Sequence, residues 1–303
     1  MIKLLDKLYA NISSKSFLLR CIKYLLRILA NLYVYSFIRV KSVKTNISDD
    51  TLIVSLTSYP ARISKLWMVI KTLLNQKLVD NFKVILWLSE NQFPKGLDSL
   101  PKSLTNLIDK GLDIRFVSDD LKSHKKYYYA FKEYPNNIVV TVDDDVLYSP
   151  ILLRTLLDAH DKYSDCVICN RGIKINKEKS YRNWDKVDNF MIPVSSIMPT
   201  GIGGVLYPPH CYNNNIFNIE AIKSTCINGD DLWLNFMCRL NGTKVVHTGV
   251  RFGFITVLSS QETALCIENV NHDKNDIQIC SIIKWGLSKN LNFYLNIKSD
   301  YET

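Results

Sequence analysis

The chain has 303 residues, 47% hydrophobic and 22% charged, which is the composition of a globular protein with room for a sizeable core. The formal net charge is +9, but residues 1–44 hold nine Lys or Arg and one acid, so the other 259 residues carry only about +1. This near-neutral body excludes a general nucleic-acid surface, and no nucleic-acid partner is expected.

The basic N-terminal segment, residues 1–44, is predicted to contain an amphipathic helix. From Phe17 to Ile38 the sequence is apolar except for a polar stripe at helical spacing, made of Arg20, Lys23, Arg27 and Asn31. Each cation at the centre of a membrane costs about 2.5–3.5 kcal/mol, so a spanning helix is disfavoured. A helix lying on an anionic membrane surface, with its cations at the head groups, is favoured over docking on the protein body or on a partner.

The eight cysteines are irregularly spaced and form no disulfide framework, which fits a reducing cytoplasm. Together with the basic segment, this predicts a cytoplasmic protein that is peripheral on the inner face of the plasma membrane. A luminal enzyme with a true membrane span is the alternative.

Strand and helix patterns alternate after a polar linker at residues 42–50. Apolar runs predict strands near residues 51–56, 83–88, 112–117 and 138–142, and helical spacing predicts helices at residues 63–76, 97–110 and 122–134. Because the connections are short, the strands are expected to pair in parallel, as in a Rossmann-like half.

The second half of the chain is less regular. Its predicted elements are a helix at residues 152–160, a strand at 166–170, a polar loop at 176–189, a mobile glycine-rich stretch at 199–209, a helix opening at 230–231, a strand at 245–247 and a tail that becomes helical from Ile277. The fold class is therefore α/β. One domain is expected over residues 45–303, with a donor half at about 51–150 and an acceptor half at about 151–285.

The strongest chemical signal is the run of Asp143, Asp144 and Asp145 directly after the apolar strand. Ligands of open α/β sheets bind at the carboxyl ends of the strands, where these aspartates fall. Along an extended chain Asp143 and Asp145 face one way and Asp144 the other. Two carboxylates on one side suit a hard divalent cation such as Mg²⁺ or Mn²⁺, whereas a solvated acidic turn is the simpler reading.

Further polar groups follow the other strands or open a helix. They are Thr57, Ser58, Tyr59 and Arg62 after the first strand, Glu90 after the second, Lys125 and Lys126 ahead of the acidic strand, and Asp230 and Asp231 at a helix start. Each has an ordinary structural role as its alternative. Together they predict a nucleotide-diphosphate site with a cation, a carboxylate that deprotonates an acceptor hydroxyl, and a glycine-rich stretch that closes over the donor. P-loop and dinucleotide-binding motifs are absent.

Four motifs resemble those of bacterial glycosyltransferases of the GT-A fold, of the kind encoded in capsule, O-antigen and lipopolysaccharide clusters. They are Leu56-Thr-Ser-Tyr-Pro60, Val142-Asp-Asp-Asp-Val-Leu-Tyr148 in place of the D-x-D signature, Gly203-Gly-Val-Leu-Tyr-Pro-Pro209, and Gly229-Asp-Asp-Leu-Trp-Leu234. The resemblance covers roughly residues 51–285. It implies a GT-A domain, a nucleotide-sugar donor such as a UDP-sugar, and a lipid-linked or polysaccharide acceptor.

The resemblance also implies roles for single residues. Thr57, Tyr59 and Glu90 would hold the nucleoside. Asp145 would be the main metal ligand, with Asp143 and Asp144 binding metal or ribose. Asp231 would be the base of an inverting reaction, with Asp230 binding acceptor, and the stretch with Gly203, Gly204 and Tyr207 would face the acceptor. Many relatives carry Glu-Asp where this chain has Asp230-Asp231, so a retaining mechanism stays open. Two alternative functions also stay open: a sugar nucleotidyltransferase and a non-catalytic member of a polysaccharide assembly complex.

Overall fold

The structure is a computed structural model that describes residues 1–40, 45–187, 191–258 and 273–291. Its α-helices are α1 (Ile2–Asn11), α2 (Phe17–Phe37), α3 (Pro60–Leu73), α4 (Lys102–Thr105), α5 (Lys125–Glu133), α6 (Leu152–His160), α7 (Ile219–Thr225), α8 (Asp230–Leu240) and α9 (Lys274–Ser288). Its strands are β1 (Leu52–Thr57), β2 (Phe82–Ser89), β3 (Leu112–Val117), β4 (Val139–Thr141), β5 (Val146–Leu147), β6 (Val167–Cys169), β7 (Gly172–Lys174), β8 (Lys186–Val187), β9 (Ile197–Pro199), β10 (Val205–Tyr207), β11 (Val245–His247) and β12 (Ile255–Thr256).

Seven strands form the main sheet in the order β11-β6-β10-β4-β1-β2-β3. The pairs β4–β1, β1–β2, β2–β3 and β6–β11 are parallel, whereas β10 is antiparallel to both of its neighbours. The mixed α/β fold and the parallel pairing of the first half are therefore confirmed. The carboxyl ends of β1, β2 and β4 lie at one edge of the sheet, and the amino end of β10 joins them because its direction is reversed.

Helices cover both faces of the sheet, which explains the continuous apolar runs of its strands. On β1, Ile53 and Val54 point to opposite faces, and both are fully buried. One face packs against α2, α3 and α6, and the other against α5, α7 and α8. These two core layers hold the polar strand ends in place.

Two predicted elements differ in the structure. The helix expected at residues 97–110 is divided into a 3₁₀ turn, the short α4 and a second 3₁₀ turn, because Pro101 cannot occupy a helix interior. The glycine-rich stretch at residues 199–209 is not a mobile loop, since β10 runs through the middle of the main sheet. Parts of the predicted linker, polar loop and tail, at residues 42–44, 188–189, 269–272 and 292–303, lie outside the described residues.

The N-terminal helices are packed onto the domain. Ala30 and Val34 of α2 are fully buried in the core layer that also holds α3, and the ring of Tyr35 meets the ring of Trp67 edge-on at 5.5 Å. In residues 1–40, 45–187, 191–258 and 273–291, no helix has both the length and the apolar character needed to cross a membrane.

Two members of the predicted polar stripe of α2, Arg27 and Asn31, face the domain. Arg27 donates hydrogen bonds to the carbonyls of Thr256 and Val257 at 3.1 and 2.7 Å. Asn31 donates to the Thr256 carbonyl and accepts from the Leu258 N–H, at 3.1 and 3.0 Å. The expectation that the Arg27 cation lies at lipid head groups is therefore wrong, because Arg27, like Asn31, satisfies backbone groups of the domain.

Candidate active site

The three consecutive aspartates, Asp143–Asp145, form a bend between β4 and β5, which we call the acidic turn. At its start, the Asp143 N–H donates a hydrogen bond to the Tyr148 hydroxyl at 2.7 Å. At its end, the Val257 N–H donates to the Asp145 carbonyl at 2.8 Å. The backbone of the acidic turn is thus fixed at both ends, which positions its three carboxylates.

Arg62, in the first turn of α3, binds two of these carboxylates. Its Nη1 lies 2.6 Å from Asp144 Oδ1 and 3.4 Å from Asp145 Oδ2, and the Ser58 hydroxyl donates to Asp144 Oδ2 at 2.6 Å. Burial raises the pKa of Asp144, although Arg62 and Ser58 oppose that rise. The expected alternation of side chains is wrong here, because the chain bends after β4 and Asp144 and Asp145 both reach Arg62.

Lys126 joins the acidic turn to the second acidic pair. Its Nζ lies 2.8 Å from Asp143 Oδ1 and 2.7 Å from Asp230 Oδ2, and the residue is only 3% exposed. Burial alone would lower the pKa of Lys126, but the surrounding aspartates outweigh it and raise that pKa well above its usual value. A buried ammonium therefore holds together two motifs that are 87 positions apart (230 − 143).

Asp230 and Asp231, in the first turn of α8, have different environments. Burial and the neighbouring Asp230 carboxylate raise the pKa of Asp231 to about 7. Burial also opposes ionisation of Asp230, but the Lys126 ammonium prevails and holds the pKa of Asp230 below its usual value. The Gly201 N–H donates to Asp231 Oδ2 at 3.0 Å. One carboxylate of the pair stays ionised, whereas the other titrates near neutral pH, where a general base works best.

Gly201 is the point at which the two acidic motifs meet. A Cβ atom at this position would lie 2.9 Å from both Asp143 Oδ1 and Lys126 Nζ, and 3.2 Å from Asp231 Oδ1. A side chain of any size would displace these charged groups. Gly201 therefore leaves the space in which the charged groups face one another.

We expect Gly201→Ala to lower turnover by about 10–10²-fold, because small displacements of reacting groups are costly. Steady-state kinetics would measure the loss, and circular dichroism should show an intact fold. Gly172→Ala is the matched control, since its Cβ would lie 2.6 Å from the Ile197 side chain and near no carboxylate. Equal turnover losses in both variants would contradict this role of Gly201.

Other predicted donor-site residues lie at the same sheet edge but have local partners. The Thr57 hydroxyl donates to the Trp87 carbonyl at 2.7 Å, and the Arg62 guanidinium lies 5.6 Å from the centre of the Tyr59 ring. Glu90 is exposed directly after β2. Lys125 points elsewhere, with its Nζ 2.6 Å from Asp120. Thr57, Tyr59 and Glu90 thus remain near the edge where a nucleoside was predicted.

The predicted acceptor loop is closely packed against the rest of the domain. Gly204 has a φ of +72°, which favours glycine, and leads directly into β10. A Cβ at Gly203 would lie 2.9 Å from the backbone N of Arg171. Tyr207 is buried in the core, with its ring 5.5 Å from that of Phe131. The two glycines permit close packing, and Tyr207 belongs to the core.

Sequence reasoning missed several residues that shape the site. Tyr148 supports the acidic turn, and Gly201 leaves room for the charged groups to face one another. Arg171 donates to the Thr200 hydroxyl at 2.6 Å and so supports the residue that precedes Gly201. Tyr148 ends one of the quoted motifs, and Gly201 lies in the predicted glycine-rich stretch, but nothing in the sequence distinguished Gly201 from the other glycines of that stretch.

The acidic turn also bears on metal binding. Within the part of the chain that the structure describes, no group of three or more His, Cys, Asp or Glu side chains is arranged to hold a metal ion. Magnesium, however, usually takes one or two protein carboxylates and completes its coordination with phosphate and water. Burial and the nearby Asp143 carboxylate raise the pKa of Asp145 to about 7. Asp143 and Asp145 fit a cation of this kind, because it would relieve their repulsion.

A cavity of about 650 Å³ lies elsewhere, lined by residues that include Asp165, His210 and Lys244. These residues follow β10 or precede β6 and β11, so they lie at the edge of the sheet opposite to the acidic turn. None of the predicted site residues lines this cavity.

The fold is remotely similar to several solved structures. Residues 1–349 of TarS from S. aureus match with 14% identity over 82% of this chain and 75% of that chain, at a TM-score of 0.44. The mannosyltransferase PcManGT from Pyrobaculum calidifontis, solved with GDP-Man and Mn²⁺, matches with 10% identity over 94% of this chain and 76% of that chain, at a TM-score of 0.48. An apo UDP-glucose pyrophosphorylase matches with 10% identity over 79% and 99%, at 0.38.

No family model matches the chain, and no curated protein sequence matches it. The three TM-scores are all below 0.5, so these similarities assign no function.

Proposed function

We propose that the protein is a metal-dependent glycosyltransferase of the GT-A fold that transfers a sugar, with inversion, from a nucleotide diphosphate such as UDP to a lipid-linked or polysaccharide acceptor. One observation carries the proposal: Lys126 joins Asp143 of the acidic turn to Asp230, beside an Asp231 whose pKa is about 7. A cation site for the donor and a base for the acceptor are thereby adjacent.

The donor side is assigned to the carboxyl ends of β1 and β2. Tyr59 offers a ring for a base, Thr57 and Glu90 offer polar groups for the nucleoside, and Arg62 and Ser58 fix Asp144. Since Asp144 is fully engaged, we assign it to orienting the acidic turn. Lys125 and Lys126 were predicted to bind the diphosphate, and Lys126 acts instead on the carboxylates that it contacts.

Asp145 and Asp143 would hold Mg²⁺ or Mn²⁺. The bound cation would neutralise negative charge that develops on the departing diphosphate. Arg62 neutralises part of the charge of the acidic turn from the other side, at 2.6 and 3.4 Å. The protein's own part is to hold these carboxylates in one fixed geometry.

Asp231 is assigned as the general base, which accepts the proton of the acceptor hydroxyl as the hydroxyl attacks the sugar. Gly201 orients its carboxylate through the 3.0 Å hydrogen bond. Burial raises the pKa of Asp231, and Asp230, which stays ionised beside Lys126, raises it further. The acceptor side of the site is formed by α8 and the residues before β10.

We place the enzyme in the cytoplasm, peripheral on the inner face of the plasma membrane, in the synthesis of a surface polysaccharide. The basic segment at residues 1–44 and the scattered cysteines support that location. They are consistent with an acceptor that is attached to a membrane lipid.

The proposal is tested by turnover of a panel of nucleotide sugars with Mn²⁺ or Mg²⁺. We expect Asp145→Ala to lower turnover at least about ten-fold and to abolish the increase in melting temperature that donor and Mn²⁺ together produce. Asp98→Ala, which removes an aspartate from an exposed 3₁₀ turn, is the control and should behave as the wild type. Full activity of Asp145→Ala would overturn the metal role.

The products distinguish the alternative functions. A glycosyltransferase releases a nucleoside diphosphate, whereas a sugar nucleotidyltransferase releases pyrophosphate. A non-catalytic assembly protein would bind no nucleotide sugar in calorimetry with Mn²⁺ present. Either of the last two results would replace the proposed function.

A further inference from the structure

The outer surface of α2 carries a row of exposed apolar side chains at helical spacing, which we call the leucine row: Leu18, Ile22, Leu25, Leu29 and Leu32. Four of its five members are more than half exposed, with Leu18 at 69% and Leu25 at 57%. On α1, Leu4 and Leu8 are exposed at 55% and 44%. Contiguous apolar surface of this kind marks a contact with a partner or a membrane.

The exposed charged side chains of residues 1–40 have one sign. Lys3, Lys7, Lys15, Arg20 and Arg39 are exposed. Asp6, which is the one acid of residues 1–40, is 4% exposed and accepts a hydrogen bond from the Gly253 N–H at 2.9 Å. The exposed side chains of residues 1–40 therefore include cations and apolar groups but no carboxylate.

This combination favours one kind of partner. An anionic bilayer matches both features, because its head groups attract the cations and its acyl boundary accepts the leucines. A second copy of the chain would match the apolar groups but not the charges, since two cationic surfaces would repel each other. Polar contacts of Asp6, Arg27 and Asn31 with residues 253–258 hold the helix pair with its apolar side outward.

We infer that the leucine row and the exposed lysines of the N-terminal segment, Lys3, Lys7 and Lys15, form a preformed binding surface for an anionic lipid bilayer. The helices lie along the membrane surface with Leu18, Leu25 and Leu29 inserted at the head-group boundary. Arg27 and Asn31 of α2 face the protein, so the apolar leucine row is the side of α2 that points outward. This surface specifies the membrane partner of the proposed enzyme, and it is tested without turnover.

The test is co-sedimentation of the full chain with vesicles of phosphatidylcholine, with and without phosphatidylglycerol. We expect binding to the vesicles that contain phosphatidylglycerol, and weakening of that binding at high salt. Leu25→Glu/Leu29→Glu should lower the partition coefficient at least about ten-fold. Ile277→Glu/Leu287→Glu, on α9, is the matched control, because its side chains are 62% and 61% exposed, and it should bind as the wild type.

Three results would overturn the inference. They are failure of the wild type to bind the anionic vesicles, equal binding by the Leu25→Glu/Leu29→Glu variant, and a wild-type dimer in sedimentation velocity that this variant dissociates. Circular dichroism of each variant shows whether it is folded. A variant that retains donor turnover but loses vesicle binding separates this surface from the proposed function.

Discussion

Asp231→Asn is expected to lower turnover by about 10²–10⁴-fold and to leave donor affinity nearly unchanged, because the variant loses the proposed general base and none of the proposed donor contacts. The amide occupies the same volume and still accepts the hydrogen bond from Gly201 through its oxygen. Single-turnover kinetics with saturating donor would measure the loss, and calorimetry with Mn²⁺ would measure donor affinity.

The pH dependence gives an independent test of the same residue. Asp231 must be ionised to act as the base, and its pKa is about 7, so kcat should rise with pH through about 7 and then level off. The residual activity of Asp231→Asn should lack that rise. Loss of donor affinity in the variant, with the pH profile unchanged, would reassign Asp231 to donor binding.

Lys126→Met is expected to destabilise the fold by about 3–5 kcal/mol, because it leaves the buried Asp230 carboxylate and the partly exposed Asp143 carboxylate without their counter-charge. Asp143 and Asp230 both lose a partner at less than 3 Å. Turnover should fall by at least about 10²-fold, since both acidic motifs lose their common support. Urea unfolding followed by circular dichroism measures the first effect, and donor turnover measures the second.

Two further variants separate the cause. Lys132→Met, on the same helix, removes an exposed lysine that contacts the Tyr128 hydroxyl at 2.8 Å, and it should change stability by less than about 1 kcal/mol. Lys126→Met/Asp230→Asn removes both buried charges and should recover part of the lost stability. If Lys126→Met were as stable as the wild type, the buried ion pairs would contribute little.

The sequence pattern predicted correctly those helices and strands that depend mainly on residues close together in the chain. The strand at residues 245–247 and the helix at residues 152–160 are confirmed, because continuous apolar runs and helical spacing depend on neighbouring residues. The position of the acidic motif after a central parallel strand is also confirmed. The glycine-rich stretch was misread, because three buried residues of β10 are too few to outweigh the surrounding glycines.

Contacts between distant residues could not be predicted. Lys126 was predicted, together with Lys125, to bind a diphosphate, and only the fold brings it within 2.7 Å of Asp230. Arg27 and Asn31 likewise appeared as one polar stripe with Arg20 and Lys23. The carbonyls that they bind lie more than 220 positions further along the chain, so helical spacing alone could not separate the inward from the outward members.

The attachment of α2 determines how a variant with less exposed apolar surface should be made. Arg27 binds the Val257 carbonyl, and the Val257 N–H holds the carbonyl of Asp145. Deleting residues 1–40 would remove the exposed apolar side chains of α1 and α2. It would also remove the Arg27 hydrogen bond to Val257, the residue that supports the predicted metal ligand Asp145. Exchanging Leu25 and Leu29 for polar side chains would reduce the exposed apolar surface of α2 and keep these hydrogen bonds.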